Sequence, residues 1–170
     1  MAATLHTTPI IISPALDTQV SSISEAGLKV GQVVKTDDGG QAVLVEAGSE
    51  IAQYNAVIFQ ADSNGKVINL TTAAAAEGTG QKRVGWAQVS IASGNFAWVQ
   101  TSGRPLGKAA ANCADAVILF TTATAGVVDD ATVSASLLAG VTSETTISNA
   151  TAVTLQVPDG CYVHPFVNPA

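Results

Sequence analysis

The groups able to do chemistry are few in this chain, and most stand far apart. There are two histidines, His6 near the start and His164 near the end, and two cysteines, Cys113 and Cys161. The short Cys161/His164 spacing could set a thiol beside a base that draws off its proton. It could equally offer two soft metal ligands, but a closed zinc site takes about four, and only Cys113 is left to join the pair. The paired acids Asp37-Asp38 and Asp129-Asp130 read first as turn residues. A calcium ion takes roughly 6–8 oxygen ligands, and neither pair sits in a loop spaced to supply them. Neither a Walker loop nor a dinucleotide fingerprint is present. The expectation is a non-enzyme with no catalytic residues, no metal site and no cofactor. The cysteines read as small buried hydrophobes, although one bridge between them stays open.

What must position any site is a greasy, weakly charged chain. Hydrophobic residues make up 47% of the 170 and charged residues 12%, about half the usual ~25%. Aromatics are only 5%, so the apolar content is mostly Ala, Val, Ile and Leu. Such a chain is too hydrophobic for disorder and lacks the heptads of a coiled coil. Its net charge is −6, with basic residues scattered except for Lys82-Arg83. That disfavours nucleic acid, which needs a basic stripe to displace counterions, and anionic membrane surfaces. The N-terminus has neither the positive nor the apolar region of a signal peptide. The greasiest window, Ala109 to Val128, carries Asn112 and Asp115, and a charge at a membrane centre costs about 2.5–3.5 kcal/mol. The expectation is a soluble chain without a cleaved signal.

Strand signals recur at close spacing from Leu28 onward. Leu28–Lys35 and Gln41–Glu46 flank the turn Asp37-Asp38-Gly39-Gly40 and predict a hairpin. Tyr54–Gln60 and Lys66–Leu70 flank Asp62-Ser63-Asn64-Gly65. Ala116–Phe120, Gly126–Val128, Leu137–Val141 and Ala152–Val157 add further strands, followed by the turn Pro158-Asp159-Gly160 and a final segment from Cys161. Helix is expected only as short turns, at Thr72–Glu77 with Thr72 as N-cap and at Ser134–Leu138. The clearest hairpin joins Arg83–Ile91 to Asn95–Thr101 through Ala92-Ser93-Gly94. If Ile91 pairs with Asn95, Val89 faces Ala97 and Ala87 faces Val99. Trp86, Gln88 and Ser90 then share a face with Phe96, Trp98 and Gln100. That face reads as barrel or sandwich interior, or as a subunit contact, where tryptophan is enriched. Residues 1–26 read as an arm whose apolar run Pro9-Ile10-Ile11-Ile12 needs a surface to lie on, either as a strand of the chain's own sheet or against a neighbour. No period is strict enough for a solenoid. The fold class expected is all-β, a small β-barrel or β-sandwich (jelly-roll-like), with an extended N-terminal arm and a C-terminal tail.

The segment Asn95-Phe96-Ala97-Trp98-Val99-Gln100-Thr101-Ser102-Gly103 resembles the "GWVQT-x-G" strand of capsid decoration, or cement, proteins of tailed bacteriophages. Val84-Gly85-Trp86-Ala87-Gln88-Val89 resembles their "lGvaqv" strand. Ala110–Asp115 and Leu119–Asp130 resemble their "a-x-c-a-d" and "L-y-t-t-a-t-a-G-x-l-d-d" stretches, with Phe120 where tyrosine is common. Leu138-Ala139-Gly140-Val141 resembles the closing strand. The resemblance covers residues 27–142, leaving the arm 1–26 and a C-terminal strand and tail, 143–170, outside it. It implies a β-rich homotrimer on the outer surface of the virion, binding across neighbouring subunits of the major capsid protein, with no catalytic residue. Pro9, Ile10, Ile11, Ile12, Trp86, Phe96 and Trp98 are then the candidate contacts to capsid or sister subunit. A carbohydrate-binding β-sandwich with Trp86 or Trp98 as sugar platform, and a head-fibre or receptor-binding module, are the competing classes.

Overall fold

The computed structural model describes residues 19–21, 28–60, 66–77, 81–131, 136–146 and 151–164. The run Pro9 to Ile12 and the expected turn Asp62 to Gly65 lie outside them. The fold is all-β, as the strand spacing predicts, with one short helix among the described residues. Two short strands, β1 (Gln19–Val20) and β2 (Val33–Lys35), lead into a first group of five: β3 (Gln41–Ala47), β4 (Ala56–Phe59), β5 (Lys66–Asn69), β6 (Lys82–Ala87) and β7 (Phe96–Ser102). β3 pairs antiparallel with β7, β7 with β6, β6 with β4 and β4 with β5, and β5 returns parallel to β3. The five strands therefore close into a barrel.

Alternate residues of each strand point inward. Val43, Val45, Ala47, Val57, Val67, Ala87, Ala97 and Val99 fill the interior with Ile51 and Ile91. Barrel width grows with strand number, and about eight strands give an interior that side chains just fill. Five strands leave less room, so the filling is Ala and Val. At Gly85 even a methyl would lie 2.5 Å from Val99 Cγ1.

A second group repeats the first. It comprises β8 (Leu106–Ala109), β9 (Ile118–Thr121), β10 (Val127–Asp129), β11 (Leu137–Ser143) and β12 (Thr151–Gln156). β8 pairs antiparallel with β12, β12 with β11, β11 with β9 and β9 with β10, and β10 returns parallel to β8. Chain order and strand direction match, and so does register at four pairs, although β9–β11 shifts register between Leu137 and Thr142 where β4–β6 does not. Ala56↔Trp86 corresponds to Ile118↔Thr142, Trp86↔Gln100 to Thr142↔Gln156, Val45↔Ala97 to Gly107↔Val153, and Ala47↔Val67 to Ala109↔Val128. The irregular backbone repeats too. Tyr54 and Ala116 both hold positive φ, 65° and 55°. Their N–H groups donate to Ala87 O (2.7 Å) and Ser143 O (3.0 Å). The last strand, β13 (Tyr162–His164), pairs with β6 and β11 and stitches the two barrels together.

Several expectations change in detail. The hairpin of β6 and β7 pairs at Trp86↔Gln100 and Ala87↔Val99 as expected. Beyond that Ile91 leaves to bridge Ile51 and fill the barrel, so Ala97 pairs with Val45 and Gln19 rather than with Val89. The helix α1 (Thr72–Ala76) is capped by Thr71, not Thr72, with Ala74 N–H donating to Thr71 Oγ1 at 3.0 Å. Thr72 Oγ1 instead meets Thr121 Oγ1 at 3.1 Å. Of the expected helical turn Ser134–Leu138, Leu137 and Leu138 belong to β11. The boundary at 142/143 falls within β11, β12 lies where the C-terminal strand is expected, and the segment after Cys161 adds the short strand β13. Strand β8, whose Leu-Gly-Lys-Ala lacks any strand signature, went unpredicted.

One side chain fixes the joint between the barrels. Val45 of the first barrel is replaced in the repeat by Gly107. The vacated space holds the indole of Trp86: a Cβ on Gly107 would lie 2.7 Å from Trp86 Cδ1 and 2.4 Å from Leu155 Cδ1. Trp86 is completely buried there, although its Nε1–H finds no acceptor. An unpaired buried donor costs about 1–3 kcal/mol, and the buried area of a tryptophan offsets it.

Gly107→Ala should overpack this joint and cost about 1–3 kcal/mol, and Trp86→Ala should cost about 3–5 kcal/mol. In the Trp86→Ala background, Gly107→Ala should cost less than in the unmodified chain, because of the two close contacts only that with Leu155 remains. Thermal melts of the two single variants and the double variant check this, and strict additivity would show that Trp86 and position 107 do not share the space.

Candidate functional site

The structure separates the aromatic face expected from the sequence. Trp86 faces the chain's own second barrel and has no surface to offer a partner, which corrects its reading as a contact residue. Trp98 is 7% exposed and packs with Ala42 and Leu44 beneath Leu28, Val34 and Phe96. Barrel closure is the cause: outward faces of adjacent strands diverge, so two residues on the same side of a hairpin meet different neighbours. Of the three aromatics only Phe96 keeps appreciable exposure. The described end of the arm lies on the chain's own sheet. Gln19 and Val20 pair with Ala97 and Phe96, and Gln19 Oε1 accepts from Ala92 N–H (2.9 Å) and Asn95 Nδ2 (3.2 Å). The exposed large hydrophobics among the described residues are Val20, Val33 and Ile118.

The polar side chains best placed to form a site bind strands to one another. Asn55 is 5% exposed. Its Nδ2 donates to Asn69 Oδ1 (2.7 Å), and its Oδ1 accepts from Lys108 Nζ (2.8 Å). It thereby ties the first barrel to β8 of the second. Gln88 acts as a piece of strand: its Nε2 donates to Leu106 O (3.1 Å) and its Oε1 accepts from Leu106 N–H (3.2 Å). The Asp38 carboxylate accepts from Thr36 Oγ1, Gly40 N–H, Gln100 Nε2 and Arg104 N–H. Partial burial pushes its pKa up, but these four donors outweigh burial and hold it below the ordinary carboxylate value. The turn reading of Asp37-Asp38 anticipated part of this. Asn55 and Lys108 meet across 53 residues and left no local signal.

The two pairings considered for chemistry fare differently. Cys161 is buried and His164 is exposed three residues along, on the other side of the strand. Burial pushes the Cys161 thiol up to about 12, so it is no thiolate nucleophile at neutral pH. Both cysteines are free. Cys113, which the sequence offers as a partner to Cys161 and His164, instead converges with Asp129 and Asp130, with one potential ligand atom from each within 4.8 Å of the others. Burial first, then the charges of Asp130 and Asp129, raises the Cys113 pKa, and burial raises that of Asp129. The carboxylates also hold the loop, since Asp130 Oδ2 accepts from Ala114 N–H (3.0 Å) and Asp129 Oδ1 from Asp130 N–H (2.9 Å).

An open depression is lined by Gly103, Arg104, Gly140, Gln156, Val157 and Pro158. Its one charged lining residue, Arg104, pairs with Glu144, which also accepts from Gln156 Nε2 (3.1 Å). Cation and anion are therefore already matched at its rim. No protein-family model matches this chain, and no curated protein matches it.

Asp38 has a depressed pKa when folded, so its contribution to stability is fully present above the unfolded value of about 3.9. That contribution is lost as pH falls through the lower folded value. Asp129 has the opposite sign: its contribution is present below the unfolded value and lost as pH rises through its raised folded pKa. Asp38→Asn should destabilise the protein by about 1 kcal/mol at pH 7, small because the carboxylate is largely exposed. The gap from the unmodified chain should narrow below about pH 4. Urea unfolding at pH 7, 4 and 3 measures both, and a gap independent of pH would refute the carboxylate's role.

Proposed function

We propose that this chain is a structural virion protein: a homotrimer on the outside of a tailed-phage capsid that cements neighbouring major capsid subunits. One observation carries the reading. Among the described residues, the most connected polar groups, Asp38, Asn55 and Gln88, join strands and barrels, while Val20, Val33, Phe96 and Ile118 bring apolar area to the surface. That division suits a rigid adhesive module better than a catalyst. The segment resembling the decoration-protein strand, Asn95–Gly103, includes β7, which pairs with β1, β3 and β6.

The physical role follows from rigidity and repetition. Two closed barrels present few open strand edges and deform little. Apolar burial on a shell contributes about 25 cal/mol per Å², less the cost of association. Three linked copies convert later contacts into intramolecular ones and raise avidity. Whatever binds the assembled shell but not its separated subunits stabilises assembly by mass action. A sugar-binding role has less support, because Trp86 and Trp98 are both buried within the chain and neither can serve as a platform.

Mixing the purified chain with capsids of its own phage from which it has been removed tests the reading. Cosedimentation should saturate at a fixed ratio to capsid subunits, and decorated capsids should survive higher temperature than bare ones. Failure to bind mature capsids, or binding without any gain in capsid stability, would refute cementing.

A further inference from the structure

The internal repeat shows one place where the second barrel departs from the first in chemistry. Cys113 stands three residues before Ala116, as Ile51 stands three before Tyr54, so the two hold equivalent positions. Asp129 pairs with Phe120 where Ile68 pairs with Ile58, and Asp130 follows it as Asn69 follows Ile68. Ser143 O accepts from Ala116 N–H as Ala87 O accepts from Tyr54 N–H, which equates Ser143 with Ala87. The first barrel therefore has Ile51, Ile68 and Ala87 at these positions, packed in its apolar clusters. The second has a thiol, a carboxylate and a hydroxyl there, with a second carboxylate in place of Asn69. Closing such a barrel does not require polar groups at this end. Burying them costs free energy unless a partner compensates, and Cys113 is 0% and Ser143 2% exposed, with Asp129 and Asp130 half-buried.

We propose that Cys113, Asp129 and Asp130 bind a zinc-class divalent metal ion at this end of the second barrel. One ligand atom from each lies within 4.8 Å of the others. Zinc bonds sulfur at about 2.3 Å and oxygen at about 2.0–2.2 Å, which spaces tetrahedral ligand atoms about 3.5 Å apart. The three side chains thus draw in by roughly 1 Å to meet one ion. The thiol is poorly served without it. Its hydrogen bond to Ala114 O is 3.7 Å long, and that oxygen already accepts from Ser143 Oγ at 2.7 Å. The carboxylates have no counter-cation among the described residues, whose ion pairs are Lys66–Glu46 and Arg104–Glu144. Calcium and magnesium take oxygen ligands, and the sulfur selects a softer metal. As the metal–sulfur bond forms, the thiol proton passes to solvent, so thiolate and two carboxylates face the dication. Asp130 Oδ2 also accepts from Ala114 N–H (3.0 Å), which orients it toward Cys113. The ion would join the loop before β9 to the end of β10, where the first barrel is held by Ile51 bridging Ile91. This site is independent of any role on a capsid.

Cobalt(II) titration of the reduced full chain, free of any affinity tag, reads the site directly, because cobalt takes zinc's ligands and a cobalt–thiolate bond absorbs in the near ultraviolet. The unmodified chain should develop that charge-transfer band with one equivalent of cobalt and lose it to added zinc. Cys161→Ala should keep the band and Cys113→Ala should lose it. Asp130→Asn is the variant whose fold is safest, since Asn69 already holds the equivalent position in the first barrel. It should weaken cobalt binding by at least the roughly tenfold that loss of even an outer-shell partner costs, with an unchanged circular dichroism spectrum. Zinc should raise the melting temperature of the unmodified chain and leave that of Asp130→Asn where it was. Should Cys113→Ala fail to fold, the Asp130→Asn measurements decide. No band at saturating cobalt, a band that persists in folded Cys113→Ala, or an equal zinc-induced rise in Asp130→Asn would each overturn the proposal.

Discussion

The indole of Trp86 seated on Gly107 is the contact on which the architecture turns. Each five-stranded barrel closes its own hydrogen-bond ring, and backbone bonds also cross the joint: Ala56 N–H donates to Gly126 O (2.9 Å), Gly126 N–H to Leu70 O (2.8 Å) and Lys108 N–H to Tyr54 O (2.9 Å). Side-chain packing adds to them. One cluster runs from Ala56, Ile58 and Val84 on the outside of the first barrel, through Trp86, to Leu119, Val128 and Leu155 of the second. The polar ties of Asn55 to Lys108 and of Gln88 to Leu106 sit around this contact. They join the barrels by polar contacts, while the fully buried indole contributes apolar area. Strand β13, shared by β6 and β11, adds a backbone link across the same joint.

A second constraint is width. A five-stranded ring cannot hold large inward side chains, and this explains the composition. The aromatic content is low because each barrel core takes mainly Ala, Val and Leu, with Ile or Cys where the second strand begins. Charge is low because outward faces are covered as well, one by the neighbouring barrel and one by Leu28 and Val34. A chain buried on both faces of many strands reads as a nearly continuous apolar run. That is why the composition excluded disorder and pointed to strands, yet could not say which face of a strand was inner.

The repeat shows where sequence reading stops. At equivalent positions Leu44 matches Leu106, Ala47 matches Ala109, Ala52 matches Ala114, Val67 matches Val128 and Gln100 matches Gln156, and few others agree. What the two halves share is strand order, direction and most of the register, and many sequences satisfy all three. The strand run, the turn at Asp37–Gly40 and the β6–β7 pairing were legible because each is set by local periodicity and turn chemistry. The partner of Trp86 was not, because a glycine more than twenty residues away in an unremarkable strand determines it. The hub at Asn55 stayed hidden for the same reason, since its partners Asn69 and Lys108 become neighbours only once both barrels are closed.

The differences between the halves carry as much meaning as their likeness. The bulky plug, Trp86, and the empty position that receives it, Gly107, occur once among the described residues, at the joint inside the chain. At the equivalent places stand Thr142 and Val45, and Ile118 beside Thr142 stays 51% exposed. The joint is therefore directional: the first barrel carries the plug and the second the space for it, so the two barrels are not interchangeable despite their common strand order.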